Sequence, residues 1–297
     1  MANYKNAAAL SKLTLGENTE YSSQYNPDLL QAVPRSLNRD DLAIDQQYLP
    51  FIGEDVWYGF ELSWLNTKGK PVVAVAEFRF SCLSENIVES KSFKLYLNSF
   101  NQTKFDTIKN VEQRLVADLS AITNSSAQVR LFGVEHCPEL AIAKKVNACV
   151  CIDNEDISIE AYQYDAKLLS TAMDAVTDAE TDAETQHNDT IIDEALVSHL
   201  LKSNCLITNQ PDWASIYISY RGKKINHGVL LKYLISFRQH SEFHEQCVER
   251  IYCDLQKYCQ PEELTVFARY TRRGGLDINP FRSSHLQQAP SRRTLRQ

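Results

Sequence analysis

The chain repeats itself. Tyr96-Leu97-Asn98-Ser99-Phe100 lines up with Tyr233-Leu234-Ile235-Ser236-Phe237, and Arg114 with Asp118-Leu119 lines up with Arg250 and Asp254-Leu255. Chance gives one such match; two in register, on elements of matching type, point to an internal duplication. In the first copy KPVVAVAEFRFSC (70–82) reads as a strand. KSFKLYLNSF (91–100) and FDTIKNVEQRLVADLSAI (105–122) read as helices, with Ile108, Val111, Leu115, Leu119 and Ile122 at helical spacing. In the second, ASIYISYRG (214–222) reads as a strand, GVLLKYLISFRQ (228–239) and FHEQCVERIYCDLQKY (243–258) as helices, and LTVFARYTR (264–272) as another strand. Each half is then expected to be a ββαα-type unit, an antiparallel sheet backed by paired helices, and the whole an α+β architecture.

Between the halves, from Met173 to Ala195, stand eight acidic residues and no Lys or Arg, including the tandem TDAETDAET. This stretch has no apolar face at either period and repels itself, so it reads as a solvated spacer rather than a binding element. It divides the chain into an N-terminal arm (1–28), a first module (29–172), the acidic linker (173–195) and a second module (196–297). Most of the net charge of −7 is local to it, and that balance disfavours a broad face for nucleic-acid phosphates. With 297 residues, 43% of them hydrophobic, the chain has enough material for two medium cores. No window approaches the roughly 18 apolar residues of a membrane span, and the N-terminus has no long apolar stretch, so a cytoplasmic protein is expected. In that compartment the eight cysteines are thiols to be judged one by one.

Cys205 lies in NCLITNQPDW, with Asp212 seven residues on across a Pro-containing turn. A catalytic thiol needs a nearby proton-handling group, and Asp212 is a candidate. The first-half counterpart, ELSWLNTKGKPVVAVAEF, keeps the turn and the Pro but has neither Cys nor Asp. On these residues alone a buried, inert Cys205 competes evenly with a nucleophile. Ser241 is a plausible N-cap for a helix whose first turn holds His244-Glu245. A helix-dipole Glu beside a surface His is the plainer reading there, as a solvated helix start is for Glu89, Lys91 and Lys94. ARYTRRGGLDINPFRS joins a strand end to Arg272-Arg273 and Gly274-Gly275; it suits either a phosphate contact or a tight turn with exposed arginines. No GxGxxG follows a strand and no P-loop is present. Cys149-Val150-Cys151 has no second ligand pair at zinc-like spacing, so no metal is expected.

Four blocks, ESKSFKLYLNSFNQT from Glu89, NCLITNQPDWASIYI around Cys205, FHEQCV around His244-Glu245, and RYTRRGGLDINPFRS, occur in this order. Together they closely resemble the NADPH-dependent 7-cyano-7-deazaguanine reductases of queuosine biosynthesis, in their long two-module form, from about Leu29 to Ser283. The acidic stretch is foreign to that pattern. The resemblance implies tandem tunnelling-fold modules that associate into barrels, and a homodimer, since two halves do not complete a barrel alone. It implies Cys205 as nucleophile and Asp212 as proton donor. It also implies Val88, Glu89, Ser90, His244 and Glu245 as the residues that hold the deazapurine, and Ser90, Lys91, Arg273 and Gly274 as those that contact NADPH. Membrane and nucleic acid are not expected partners.

The chemistry the resemblance implies suits these residue types. Addition of the Cys205 thiolate turns a poor hydride acceptor, the nitrile, into a thioimidate that is protonated and reduced, with two NADPH consumed in all. Ionised Glu89 and Glu245 would accept the paired N–H donors of a guanine-like edge. Two rival readings are a pterin-type cyclohydrolase of the same fold, which lacks its metal ligands here, and a purine-binding scaffold without activity. Neither explains Cys205, Asp212, His244 and Glu245 standing together.

Overall fold

The computed structural model describes residues 21–135, 149–173, 190–291 and 293–297. Its frame is one continuous sheet of nine strands. The first unit supplies β2 (Ile52–Leu65), β3 (Pro71–Ser81) and β5 (Ala127–Phe132), and packs α2 (Ser90–Asn98) and α3 (Ile108–Thr123) against them. The second supplies β7 (Ile191–Ser198), β9 (Pro211–Lys223), β10 (Glu263–Tyr270) and β11 (Leu276–Ser283), with α4 (His227–Ser236) and α5 (His244–Cys259). The order across the sheet is β5-β3-β2-β11-β10-β9-β7-β6, with β6 (Val150–Cys151) parallel to β7 and every other pairing antiparallel. Three short elements complete the frame: β1 (Ala32–Pro34) pairs with β4 (Asn86–Val88), and β8 (Lys202–Asn204) pairs with β9. A single-turn helix, α1 (Ser36–Asp41), follows β1.

The expected repeat is present down to single hydrogen bonds. Tyr96 donates its hydroxyl to Asp118 Oδ2 at 2.7 Å, and its counterpart Tyr233 donates to Asp254 Oδ2 at 2.6 Å. Each carboxylate takes a second tyrosine, Tyr25 at 2.6 Å and Tyr164 at 2.8 Å. Arg114 stacks over Tyr25 and Arg250 over Tyr164. Each unit also has its own core on the helical face of the sheet, the first around Trp57, Phe78, Phe93, Val111, Leu115 and Leu119, the second around Ile216, Tyr233, Phe237, Val248, Ile251 and Leu255. This is the α+β, two-module tunnelling-fold architecture that the resemblance implied.

Helix ends follow local rules. Thr107 Oγ1 accepts the Asn110 N–H to start α3, and Asn124 at φ 49° ends it; Gln260 at φ 47°, followed by Pro261, ends α5. Ser241 does not cap α5. Its hydroxyl turns to Asn209, the Glu242 N–H is taken by the Asn204 carbonyl, and the helix begins at His244 after Phe243. The two units meet at β2 and β11, where Gly53 pairs with Arg282 and a Cβ on Gly53 would fall 2.2 Å from the Phe281 carbonyl oxygen.

Packing and strand pairing cross the positions 28, 172 and 195 expected as module boundaries. Tyr25 packs in the first core, while Leu169 and Ala172 belong to the second. Ile191 to Ala195, the end of the acidic stretch, is already strand β7, because Glu194 is satisfied by Tyr220 and His227. Residues 174–189 and most of the arm lie outside the described residues. The C-terminal tail is bound to the sheet face away from the helices: the Ala289 N–H donates to Glu54, Arg293 stacks over Phe60, and Gln297 bonds Asn279.

Candidate active site

β8 and β9 form a hairpin in which Ser203 faces Asp212 and Asn204 faces Pro211. The Cys205 N–H closes it on the Gln210 carbonyl at 2.8 Å, with Asn209 in the left-handed region at φ 56°. The hairpin is in turn zipped to the chain before α5, since Asn204 N–H donates to His240 O and Glu242 N–H to Asn204 O. These contacts bring together residues far apart in sequence. Trp57 of β2, Val88 of β4, Ser90 of α2, Cys205, Asp212, Glu242, Phe243, His244, Glu245, Arg273 and Ile278 line one narrow chamber. Its volume is about 10 Å³, room for about one water, so a bicyclic ring must part its walls to enter. Beside it opens a cleft of about 330 Å³ lined by Ser90, Lys91, Lys94, Thr208, Gln210, His244, Arg273 and Gly274.

Of the residues expected at the site, Val88, Ser90, Cys205, Asp212, His244, Glu245 and Arg273 line the chamber, and Lys91 and Gly274 line the cleft. Glu89 lines neither. It is fully buried beneath them as the N-cap of α2, its carboxylate accepting the Lys91 and Ser92 N–H groups at 2.7 Å each. The conspicuous pair Arg272-Arg273 is split in the turn between β10 and β11: Arg273 faces Asp212, whereas Arg272 stacks over Phe60 on the opposite face. The sequence reading missed Trp57, Glu242, Phe243 and Ile278. Phe243, one residue before His244, lay beside a signal already in view; Trp57 and Ile278 meet only through the pairing of β2 with β11.

Asp212 is 2% exposed, and neither carboxylate oxygen has a well-aligned hydrogen bond among the described residues. Its Oδ1 lies 2.9 Å from Arg273 Nη1 and 3.4 Å from His244 Nε2. Burial pushes its proton affinity up, but His244, Arg273 and Lys202 together outweigh that and hold it below the usual carboxylate range. Glu245 behaves in the opposite way: burial, aided by Asp55, lifts it to about 7 against the pull of His244 and Arg35. Burial also raises Glu89. Glu242, equally buried, is nonetheless drawn down to about 2 by Arg250 and His240. Behind the chamber Arg35, Arg39 and Arg282 interlock with Asp55 and Glu249, all nearly inaccessible, with Arg282 2.8 Å from Asp55 and 2.9 Å from Glu249.

The cleft residues fit a dinucleotide that carries several phosphates. Lys91, Lys94 and Arg273 supply cationic donors, and Gly274, at φ +57°, keeps the backbone low where a Cβ would sit 2.9 Å from Lys94 Nζ.

Comparison with known proteins identifies the family. Residues 21–131 match the family described as nitrile reductase, 7-cyano-7-deazaguanine-reductase N-term, and residues 211–289 match the family described as QueF-like protein. A solved structure of the archaeosine synthase QueF-Like in its apo form aligns with 34% of this chain and 98% of its own at 13% identity, but a TM-score of 0.27 carries no argument. The NADPH-dependent 7-cyano-7-deazaguanine reductase of Colwellia psychrerythraea strain 34H is 72% identical over 297 residues, the full length of both chains. On that identity, over the whole chain, the protein belongs to the 7-cyano-7-deazaguanine reductase family.

Proposed function

We propose that this chain reduces the nitrile of 7-cyano-7-deazaguanine to the aminomethyl group, through a covalent adduct on Cys205, with two NADPH and two protons consumed per turnover. The observation that carries the reading is the convergence of Cys205, Asp212, His244, Glu245, Val88 and Ser90, from both modules, on one water-sized chamber beside a cationic cleft.

Asp212 begins as a carboxylate, which suits it to take the Cys205 thiol proton as sulfur adds to the nitrile carbon. It then returns that proton to the nitrogen, giving a neutral thioimidate with no net gain or loss of protons. His244 and Arg273 together hold Asp212 ionised, Arg273 from a partly exposed position. Were that guanidinium to pair with a cofactor phosphate, Asp212 would recover proton affinity and become the better acid. NADPH held by Lys91, Lys94, Arg273 and Gly274 in the cleft would supply the hydrides. His244, edge-on to Tyr270 with ring centroids 4.1 Å apart, is fixed as a second donor beside the reacting nitrogen. Expulsion of Cys205 at the imine level restores the thiol before the second reduction, and the tight walls keep the imine from water.

Glu245 accepts the ring N–H and amino donors of the guanine-like edge. Those two bonds replace the hydration that burial removed, so the bound state favours its ionised form. Glu89 supports the ring from beneath by fixing the first turn of α2, which carries Ser90 and Lys91. A homodimer completes the barrel, since β5 pairs on one side only within the described sheet. The described cysteines are free thiols, as a cytoplasmic setting requires.

Purified protein mixed with 7-cyano-7-deazaguanine and excess NADPH is expected to oxidise two equivalents of NADPH per nitrile consumed. Recovery of unchanged nitrile with no oxidation contradicts the reading.

A further inference from the structure

At the edge of the sheet remote from β5, β6 runs beside β7 and sets Cys151 opposite Val197. The turn that follows carries Asp153, and the chain leaving β7 carries His199. One ligand atom from each of Cys151, Asp153 and His199 lies within 4.8 Å of the others. We propose that these three side chains bind a zinc-type divalent transition-metal ion, at a site separate from the Cys205 chamber.

The donor set is one sulfur, one imidazole nitrogen and one carboxylate oxygen, the combination a borderline-soft cation prefers over calcium or magnesium. Its ligands are also oriented from behind, as metal ligands are. His199 Nδ1 lies 2.8 Å from the hydroxyl of Ser215, which is 2% exposed, and this leaves Nε2 for a cation. Asp153 is held by the Ser198 hydroxyl at 2.7 Å and the His199 N–H at 3.0 Å, with lone pairs to spare on both oxygens. A tetrahedral zinc site needs ligand atoms roughly 3.5 Å apart, so closure is a matter of side-chain rotation at the exposed Cys151 and His199. Their exposure leaves a fourth position for water. Binding replaces the Cys151 proton by the cation and releases it to solvent. Linear spacing hid the site because His199 reaches Cys151 only through the pairing of β6 with β7.

The test is a titration of reduced, chelator-treated full-length protein with Zn²⁺ alone against a chromophoric competitor, and in parallel with Co²⁺, whose thiolate ligation gives a near-ultraviolet charge-transfer band. One equivalent bound, with that band, is expected. Affinity should fall at least about tenfold in Cys151→Ser, Asp153→Asn and His199→Gln, and about tenfold in Ser215→Ala, the range for outer-shell partners. Cys205→Ala should bind as the parent does. Circular dichroism checks that each variant is folded, and the parent titration stands by itself. Absence of a tight equivalent in the parent overturns the proposal. So does unchanged affinity in folded Cys151→Ser and His199→Gln, or loss of the band in Cys205→Ala.

Discussion

At the scale of single residues, the site turns on how burial and charge are balanced around two carboxylates. Asp212 and Glu245 are both inaccessible, yet the first is held low by His244 and Arg273 and the second is lifted to about 7. Replacing Asp212 by Asn should slow turnover by about a hundred- to ten-thousand-fold, the range for a lost acid–base group, while substrate still binds; single-turnover NADPH oxidation measures it. Glu245 gives a sign-definite pH effect. Its ionised form binds the donor edge, so substrate affinity should be constant above about pH 7 and fall toward tenfold per unit as pH drops below the value of about 7 set by burial. Calorimetric titration between pH 5.5 and 8.5 reads this, and a flat profile would remove Glu245 from substrate binding. Cys205, Asp212 and the His244-Glu245 pair stood out in the sequence through the family resemblance of the local blocks that carry them, not through their residues alone. The raised proton affinity of Glu245 was not legible there, because burial in the folded chamber sets it and Asp55 and Arg35 reach it from other elements, and neither was the turn of Glu89 into a helix cap.

At the scale of elements, the duplication was readable because the repeated residues bond one another. Tyr96 with Asp118 and Tyr233 with Asp254 stand on paired helices, so the same spacing recurs. Asp254→Ala leaves the hydroxyls of Tyr164 and Tyr233 without an acceptor and should lower stability by about 1–3 kcal/mol for each group left unsatisfied. Urea unfolding measures the loss. Three long strands escaped the reading. β7 hides behind acidic residues, β2 lacks clean alternation, and Pro280 with Gly274-Gly275 gives β11 the look of a loop. The structure explains the tolerance of Pro280: the ladder from β10 ends at Phe267 and Phe281, so the N–H that proline lacks is not called on from that side. The arginine lattice ties these elements together. Glu249→Ala would leave Arg39 and Arg282 without their shared carboxylate and should cost about 3–5 kcal/mol, the range for breaking a buried ion pair, by the same unfolding assay.

At the scale of the whole molecule, two units of common plan have divided one site between them. The first gives Val88, Ser90 and Lys91 from around the start of α2, the second gives the Cys205 hairpin and the start of α5, and the β2–β11 seam joins them. A sequence comparison of the halves shows which copy kept the thiol, but the seam that brings the copies face to face is a tertiary fact. The tail's bonds to Glu54 and Asn279 arise only once the sheet exists. If a second copy completes the barrel, sedimentation should give twice the chain mass of 33.9 kDa, and a monomer with full activity would refute that part. The central claim, a covalent Cys205 adduct, is tested most directly by intact-protein mass spectrometry after mixing with 7-cyano-7-deazaguanine without NADPH. The account predicts a gain of one whole substrate mass that disappears on adding NADPH and never forms in Cys205→Ala; an adduct that persists in Cys205→Ala, or nitrile turnover by that variant, would contradict it.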